Sequence, residues 1–99
     1  MNRLQHSLLK LSEECNEVAQ ICSKIIQFGF DSEYEGETNR EKLYNELTDV
    51  LACIEYVKWH SDFEFAPSTN RILDKTDKLQ KYREISEDLG YVTTDAYKL

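Results

Sequence analysis

A nine-residue phrase occurs twice in this 99-residue chain. The first copy is Lys10-Leu11-Ser12-Glu13-Glu14-Cys15-Asn16-Glu17-Val18, and the second is Lys42-Leu43-Tyr44-Asn45-Glu46-Leu47-Thr48-Asp49-Val50. Both read Lys-Leu-x-x-Glu-x-x-acid-Val. Each copy holds two carboxylates three residues apart, Glu14 with Glu17 and Glu46 with Asp49. Residues three apart on a helix are neighbours on one face, so each pair can turn its oxygens toward one ligand. Four carboxylates brought together repel one another and take up protons unless a cation sits among them. Mg²⁺ or Mn²⁺ suits such oxygen ligands and retains waters for a substrate. The chemistry to expect is a divalent-metal site assembled from two helices.

Spacing alone is a weak signal in so acidic a chain. Asp74 with Asp77 and Glu84 with Glu87 show the same spacing, and no role is assigned to them. The lysines add something: Lys10 and Lys42 each precede their glutamate by four residues. Helix stability favours the reverse order, Glu before Lys. Other chemistries lack their residues. His6 and His60 stand near helix ends and are expected at the surface; neither belongs to a Glu-x-x-His pair, so a di-iron carboxylate site has no imidazoles. No serine or cysteine lies in a nucleophile motif, and no glycine-rich loop cradles phosphate. Cys15, Cys22 and Cys53 are odd in number and form no Cys-x-x-Cys. They are expected as reduced thiols packed like small hydrophobes. Trp59, Tyr56, Phe28 and Phe30 could stack on a base, but core or interface packing is the expectation.

The elements that must position the acids follow from periodicity. From about 2 to 28, Leu4, Leu8, Leu11, Cys15, Val18, Cys22 and Ile25 recur in alternating steps of four and three. That is the seam of one long helix, stopped by Gly29. From 29 to 38 the pattern vanishes in a polar loop holding Phe30 and Tyr34. Thr38 or Asn39 caps a second helix whose seam is Leu43, Leu47, Val50, Ile54 and Val57. It carries further apolar residues off the seam, so burial on a second side, partly by another subunit, is expected. Counted on these seams, Glu14 and Glu46 fall at matching flank positions, as do Glu17 and Asp49. A connection of this length makes the helices antiparallel, which converges all four acids on one side, with a stagger of roughly 7 Å for the loop to absorb. After a break before Pro67, Ser68 or Thr69 caps a third, basic helix carrying Arg71, Lys75, Lys78, Lys81 and Arg83 and ending at Leu89-Gly90. Its stripe of Ile72, Leu79, Tyr82 and Leu89 is thin. The tail, 90–99, shows no pattern.

The expected architecture is all-α: an antiparallel bundle of two long helices plus a third C-terminal helix, in one domain spanning 1–99, completed by oligomerisation. A net charge of −7 argues against nucleic acid or an anionic membrane as partner. It admits an anionic ligand only through a bound cation. No apolar run approaches a membrane span and no N-terminal stretch resembles a signal peptide, so a cytoplasmic protein is expected.

Glu13-Glu14-x-x-Glu17 followed by Glu46-x-x-Asp49, within the runs through Ser23-Lys24, Phe28-Gly29 and Asn39-Arg40-Glu41-Lys42-Leu43, resembles the signature of the MazG-type all-α nucleoside triphosphate pyrophosphohydrolases, in particular their short phage and bacterial members. The similarity covers about residues 8 to 57. The resemblance implies Mg²⁺-dependent hydrolysis of a nucleoside triphosphate at its α–β bond, giving a monophosphate and pyrophosphate, by a homodimer or homotetramer. By position it implies Glu14, Glu17, Glu46 and Asp49 as metal ligands. It implies Glu13 as the group that positions or deprotonates water, and Lys10, Lys24 and Lys42 as substrate-binding residues. Asn45 stands where some members carry a further glutamate. Two rival readings are a non-enzymatic helical module that binds a protein partner, and a degenerate member that binds nucleotide without turnover.

Overall fold

The computed structural model describes residues 1–94; the remainder of the expected tail, 95–99, lies outside them. Helices dominate, as the all-α reading requires: α1 (Arg3–Phe28), α2 (Asn39–Trp59) and α3 (Thr69–Asp88). Between α1 and α2 the chain forms a small antiparallel hairpin, β1 (Glu33–Tyr34) with β2 (Glu37–Thr38). These elements fall into two compact units, one ending at Glu64 and one starting at Phe65.

In the first unit, caps at the helix ends satisfy part of the orphan backbone groups. Asn2 and Gln5 cap α1 reciprocally, each side chain bonded to the other's backbone N–H at 2.8 Å. Gly29 ends α1 at φ 91°, its N–H donating to the Ile25 carbonyl. Thr38 is the cap of α2, its hydroxyl oxygen accepting from the Glu41 N–H at 3.1 Å. Asn39, the other candidate, does something else: it is buried and its side chain donates to the Gly29 carbonyl at 3.0 Å. One amide thus ties the end of α1 to the start of α2.

The loop is more ordered than its composition suggests. Glu35 and Gly36 both take positive φ, 55° and 82°, as a two-residue hairpin turn of this hand requires. Backbone bonds from Asn39 to Ser32 and from Arg40 to Phe30 close its base. The Arg40 guanidinium meets Asp31 at 3.0 Å and lies 4.6 Å from the centre of the Phe30 ring.

The two helices run antiparallel. Gly29 meets Asn39 at the loop end, while His6 bonds the Tyr56 hydroxyl at 3.2 Å at the other. The contact row is not the predicted one. In α1 the least exposed positions include Leu4, Ser7, Leu11, Glu14, Val18, Ile21 and Ile25. In α2 they include Asn39, Leu43, Glu46, Val50, Cys53 and Val57. Leu8 and Leu47 are each 49% exposed, and Cys15 and Cys22 are exposed as well. The period is right and alternate members are shifted by one residue. Two correction follow. Glu14 and Glu46 are in the seam, not on its flank, and two of the three cysteines are not core hydrophobes. Nor are Phe28 and Trp59 packed within the chain, being 65% and 74% exposed. His6 and His60, expected at the surface, are half-buried against Tyr56.

The second unit is α3. Ser68 caps it, accepting from the Arg71 N–H at 3.2 Å. At its end Gly90 takes φ 84°, its N–H donates to Glu87 and that of Tyr91 to Ser86. This left-handed glycine stop satisfies the last carbonyls. No residue of α3 is buried. Among the described residues no helix is long and apolar enough to cross a membrane.

Candidate functional site

Why do acids enter a helix seam? Seam positions exclude water, so a carboxylate there loses hydration without a compensating donor. The chain places two there and lets leucines face outward. The carboxylates of Glu14, Glu17 and Glu46 each bring an oxygen within 4.8 Å of the others. One oxygen of Glu14 and one of Glu46, both Oε2, are buried with no hydrogen-bond partner. Desolvation, then the close Glu17 and Glu14 carboxyls, push the Glu46 pKa from 4.5 to about 7. A proton shared between these acids is one way to relieve the crowding, and a cation is the other.

The donor set fits a hard divalent ion. All three groups are carboxylates, from two elements, each with an oxygen close to the others, and two of them have an orphaned oxygen. Glu14 and Glu17 come from adjacent turns of α1, and Glu46 meets them from α2 because the antiparallel pairing sets Glu17 roughly level with it. Asp49, expected as the fourth ligand, is exposed and stands outside this trio. Its side chain is one methylene shorter than a glutamate's. Its charge is still felt nearby: together with Glu14 it raises the pKa of the Cys53 thiol, for which desolvation is the larger cause. A raised thiol pKa disfavours the nucleophilic thiolate.

Beside the trio opens a cleft of ≈ 320 Å³ lined by Glu17, Gln20, Ile21, Lys24, Lys42 and Glu46. Two of the three expected substrate-binding lysines, Lys24 and Lys42, are therefore on the wall that carries the acids. Lys42 sits 5.1 Å from the centre of the Tyr34 ring. The third, Lys10, instead pairs with Glu13 at 3.1 Å on the exposed face of α1. Glu13, the expected base, is thus held one residue from the trio but outside it. Gln20, Ile21 and Tyr34 were not singled out from sequence. Gln20 could have been, since it continues the Glu17 face at the i+3 position, in line with Lys24 at i+7. Tyr34 carried no such signal, because its place depends on the hairpin.

No protein-family model, curated protein or solved structure matches this chain.

Proposed function

We propose that the chain is a Mg²⁺-dependent nucleoside triphosphate pyrophosphohydrolase, acting as a homodimer or homotetramer in a cytoplasmic setting. The observation that carries the reading is the pair of unpartnered carboxylate oxygens in the helix seam, beside a cleft that also presents Lys24 and Lys42. The duplicated phrase and its resemblance to the MazG type support the choice of substrate. Outward-facing Leu8, Leu47 and Leu51 support the assembly of copies.

Glu14, Glu17 and Glu46 would hold the ion, with Asp49 joining by a change of its exposed side chain. Bound there, Mg²⁺ (or Mn²⁺) would neutralise phosphate oxygens and acidify water. The chain's own residues do the rest. Lys24 and Lys42 draw the phosphate chain to the cleft and offset its charge. Glu13 takes the proton of the attacking water as its oxygen bonds to the α-phosphorus. The bond from that phosphorus to the bridging oxygen breaks, and pyrophosphate leaves. Lys10, bonded to Glu13 Oε2, fixes where that base points.

The test is pyrophosphate release from canonical and modified nucleoside triphosphates with and without Mg²⁺. Unchanged turnover in a Glu46→Ala, Asp49→Ala double variant would refute the site. The exposed leucines also favour a second reading, a helical module that binds a protein partner. That reading gives no Mg²⁺-dependent shift in melting temperature, whereas the enzyme is stabilised by its ion through linkage.

A further inference from the structure

We propose that Tyr34 is the platform on which the base of a bound nucleotide stacks, and that Lys42 leaves its ring for the ligand's phosphates. The inference rests on the pyrophosphohydrolase reading and adds to it the means by which the base is held. Tyr34 is 67% exposed, so its ring contributes little to any core. It is nonetheless fixed in place. It sits in β1, paired with Glu37 across a tight turn, and the hairpin is clamped at its base by Arg40 and Asp31 and by the backbone bonds of Asn39 and Arg40. An exposed aromatic on an ordered support is ready to stack at low entropic cost.

Its position connects it to the acids. Lys42 Nζ lies 5.1 Å from the ring centre, and the same lysine lines the cleft with Glu17, Lys24 and Glu46. Tyr56 and Trp59 lie at the far end of the α1–α2 pair beside His6 and His60. Tyr44 lines a separate groove with Arg40, Glu41 and Asn45.

The contact made by Lys42 is one it can exchange. An ammonium over a solvent-facing ring is held weakly. A phosphate oxygen offers a charge-assisted hydrogen bond, which is stronger. A ligand with both phosphates and a planar base would satisfy both partners at once. The ammonium turns to the phosphates, and the vacated ring face takes the base. Stacking of this kind tolerates any base, since each has a π face. The platform therefore predicts recognition of a nucleotide's base without strong selection among bases.

The experiment is calorimetric titration of the full chain, with Mg²⁺, using α,β-imido nucleoside triphosphates of the four bases and inorganic tripolyphosphate. Tyr34→Ala should weaken the analogues about tenfold, within the range of one lost base–aromatic stack, and leave tripolyphosphate unchanged. Tyr34→Phe should keep the affinity, because the ring and not the hydroxyl does the work. Equal weakening of both probes would overturn the platform and leave Tyr34 only as the seat of Lys42. No weakening of either would overturn it too, with the phosphate site intact. If neither probe binds the wild-type protein, the pyrophosphohydrolase reading itself fails, and the platform with it. Thermal melts of each variant check that the exposed substitution leaves the fold unchanged.

Discussion

The helical hairpin of α1 and α2 and the single helix α3 are of similar helical quality and opposite in dependence. In the hairpin, Ile21, Ile25 and Val57 are buried, and cross-links at both ends hold the two rods together. In α3 every position is exposed, Ile72, Leu73, Leu79, Tyr82 and Ile85 among them, except the half-buried Ser86 and Glu87. Within its own unit, caps and local pairs such as Arg83 with Glu87 at 3.3 Å support the helix. Such terms hold a helix of this length only marginally. Carboxylates differ in the same way. Asp74, Asp77, Glu84 and Asp88 of α3 are exposed, and Glu14 and Glu46 enter a seam. The acids that have given up hydration are the ones to which chemistry can be assigned.

The sharpest way to break this contrast is to remove acid pairs of equal spacing from each region. Glu46→Ala with Asp49→Ala should lower pyrophosphate release more than about 100-fold, beyond the roughly 10–100-fold of losing a supporting contact. Asp74→Ala with Asp77→Ala on α3 should leave it unchanged. Equal losses in a steady-state assay would mean that seam burial does not mark the site.

Stability should divide along the same line. Ile25→Ala in the hairpin core should cost about 2–4 kcal/mol in urea unfolding, from lost burial and the cavity left behind. Ile72→Ala on α3 should cost less than about 0.5 kcal/mol in the dilute chain, as for other exposed sites. If copies associate through α3, the Ile72→Ala cost will grow with protein concentration. That dependence would sharpen the comparison by showing where the stripe is covered.

The hairpin acids also predict a pH dependence. Glu46 titrates near 4.5 in the unfolded chain and near 7 in the folded one. Between these values folding holds a proton that the unfolded chain has released, so stability falls as pH rises. The melting temperature of the cation-free protein should therefore drop by several degrees from pH 5 to pH 8, given about 4–8 °C per kcal/mol for a domain of this size. Mg²⁺ at pH 8 should restore it. Glu46→Gln should flatten the profile and remove the Mg²⁺ response; a profile unchanged by that substitution would show that the seam carboxylate is not its source.

Much of this was legible in the sequence because period and caps are local. Gly29, Thr38, Ser68 and Gly90 punctuate the chain where the helices begin and end. Leu4, Leu11, Val18, Ile25, Leu43, Val50 and Val57 were read on the correct face. The seam is not where hydrophobicity alone puts it. Leu8, Cys15 and Leu47 are better hydrophobes than Ser7, Glu14 and Glu46, yet they face outward. Rotating each helix by one residue at alternate positions satisfies the same four-three period, and only the second helix decides between the solutions. The hairpin was missed for a related reason: Glu35-Gly36 reads as loop composition, and its turn is visible only once two short strands are allowed on either side. Tyr34 was lost with it.

A further predicted effect lies at the joint between the two hairpin helices. Asn39 is a poor choice for a buried site unless both ends of its amide are used. Its side-chain nitrogen donates to the carbonyl of Gly29, one of the acceptors that α1 leaves open at its end. Asn39→Ala removes the donor and strands that carbonyl, which should cost about 1–3 kcal/mol. Asn39→Asp should cost more than Ala, since an ionised carboxylate would face the carbonyl oxygen it replaces a donor for. The comparable change on α3, Asn70→Ala at an exposed position, should shift the urea midpoint negligibly. Because Asn39 also sets where α2 starts relative to α1, its loss should loosen the level pairing of Glu46 with Glu17. A weakened Mg²⁺ response in Asn39→Ala, without any change to an acidic residue, would show that the joint positions the carboxylates; an unchanged response would confine Asn39 to stability.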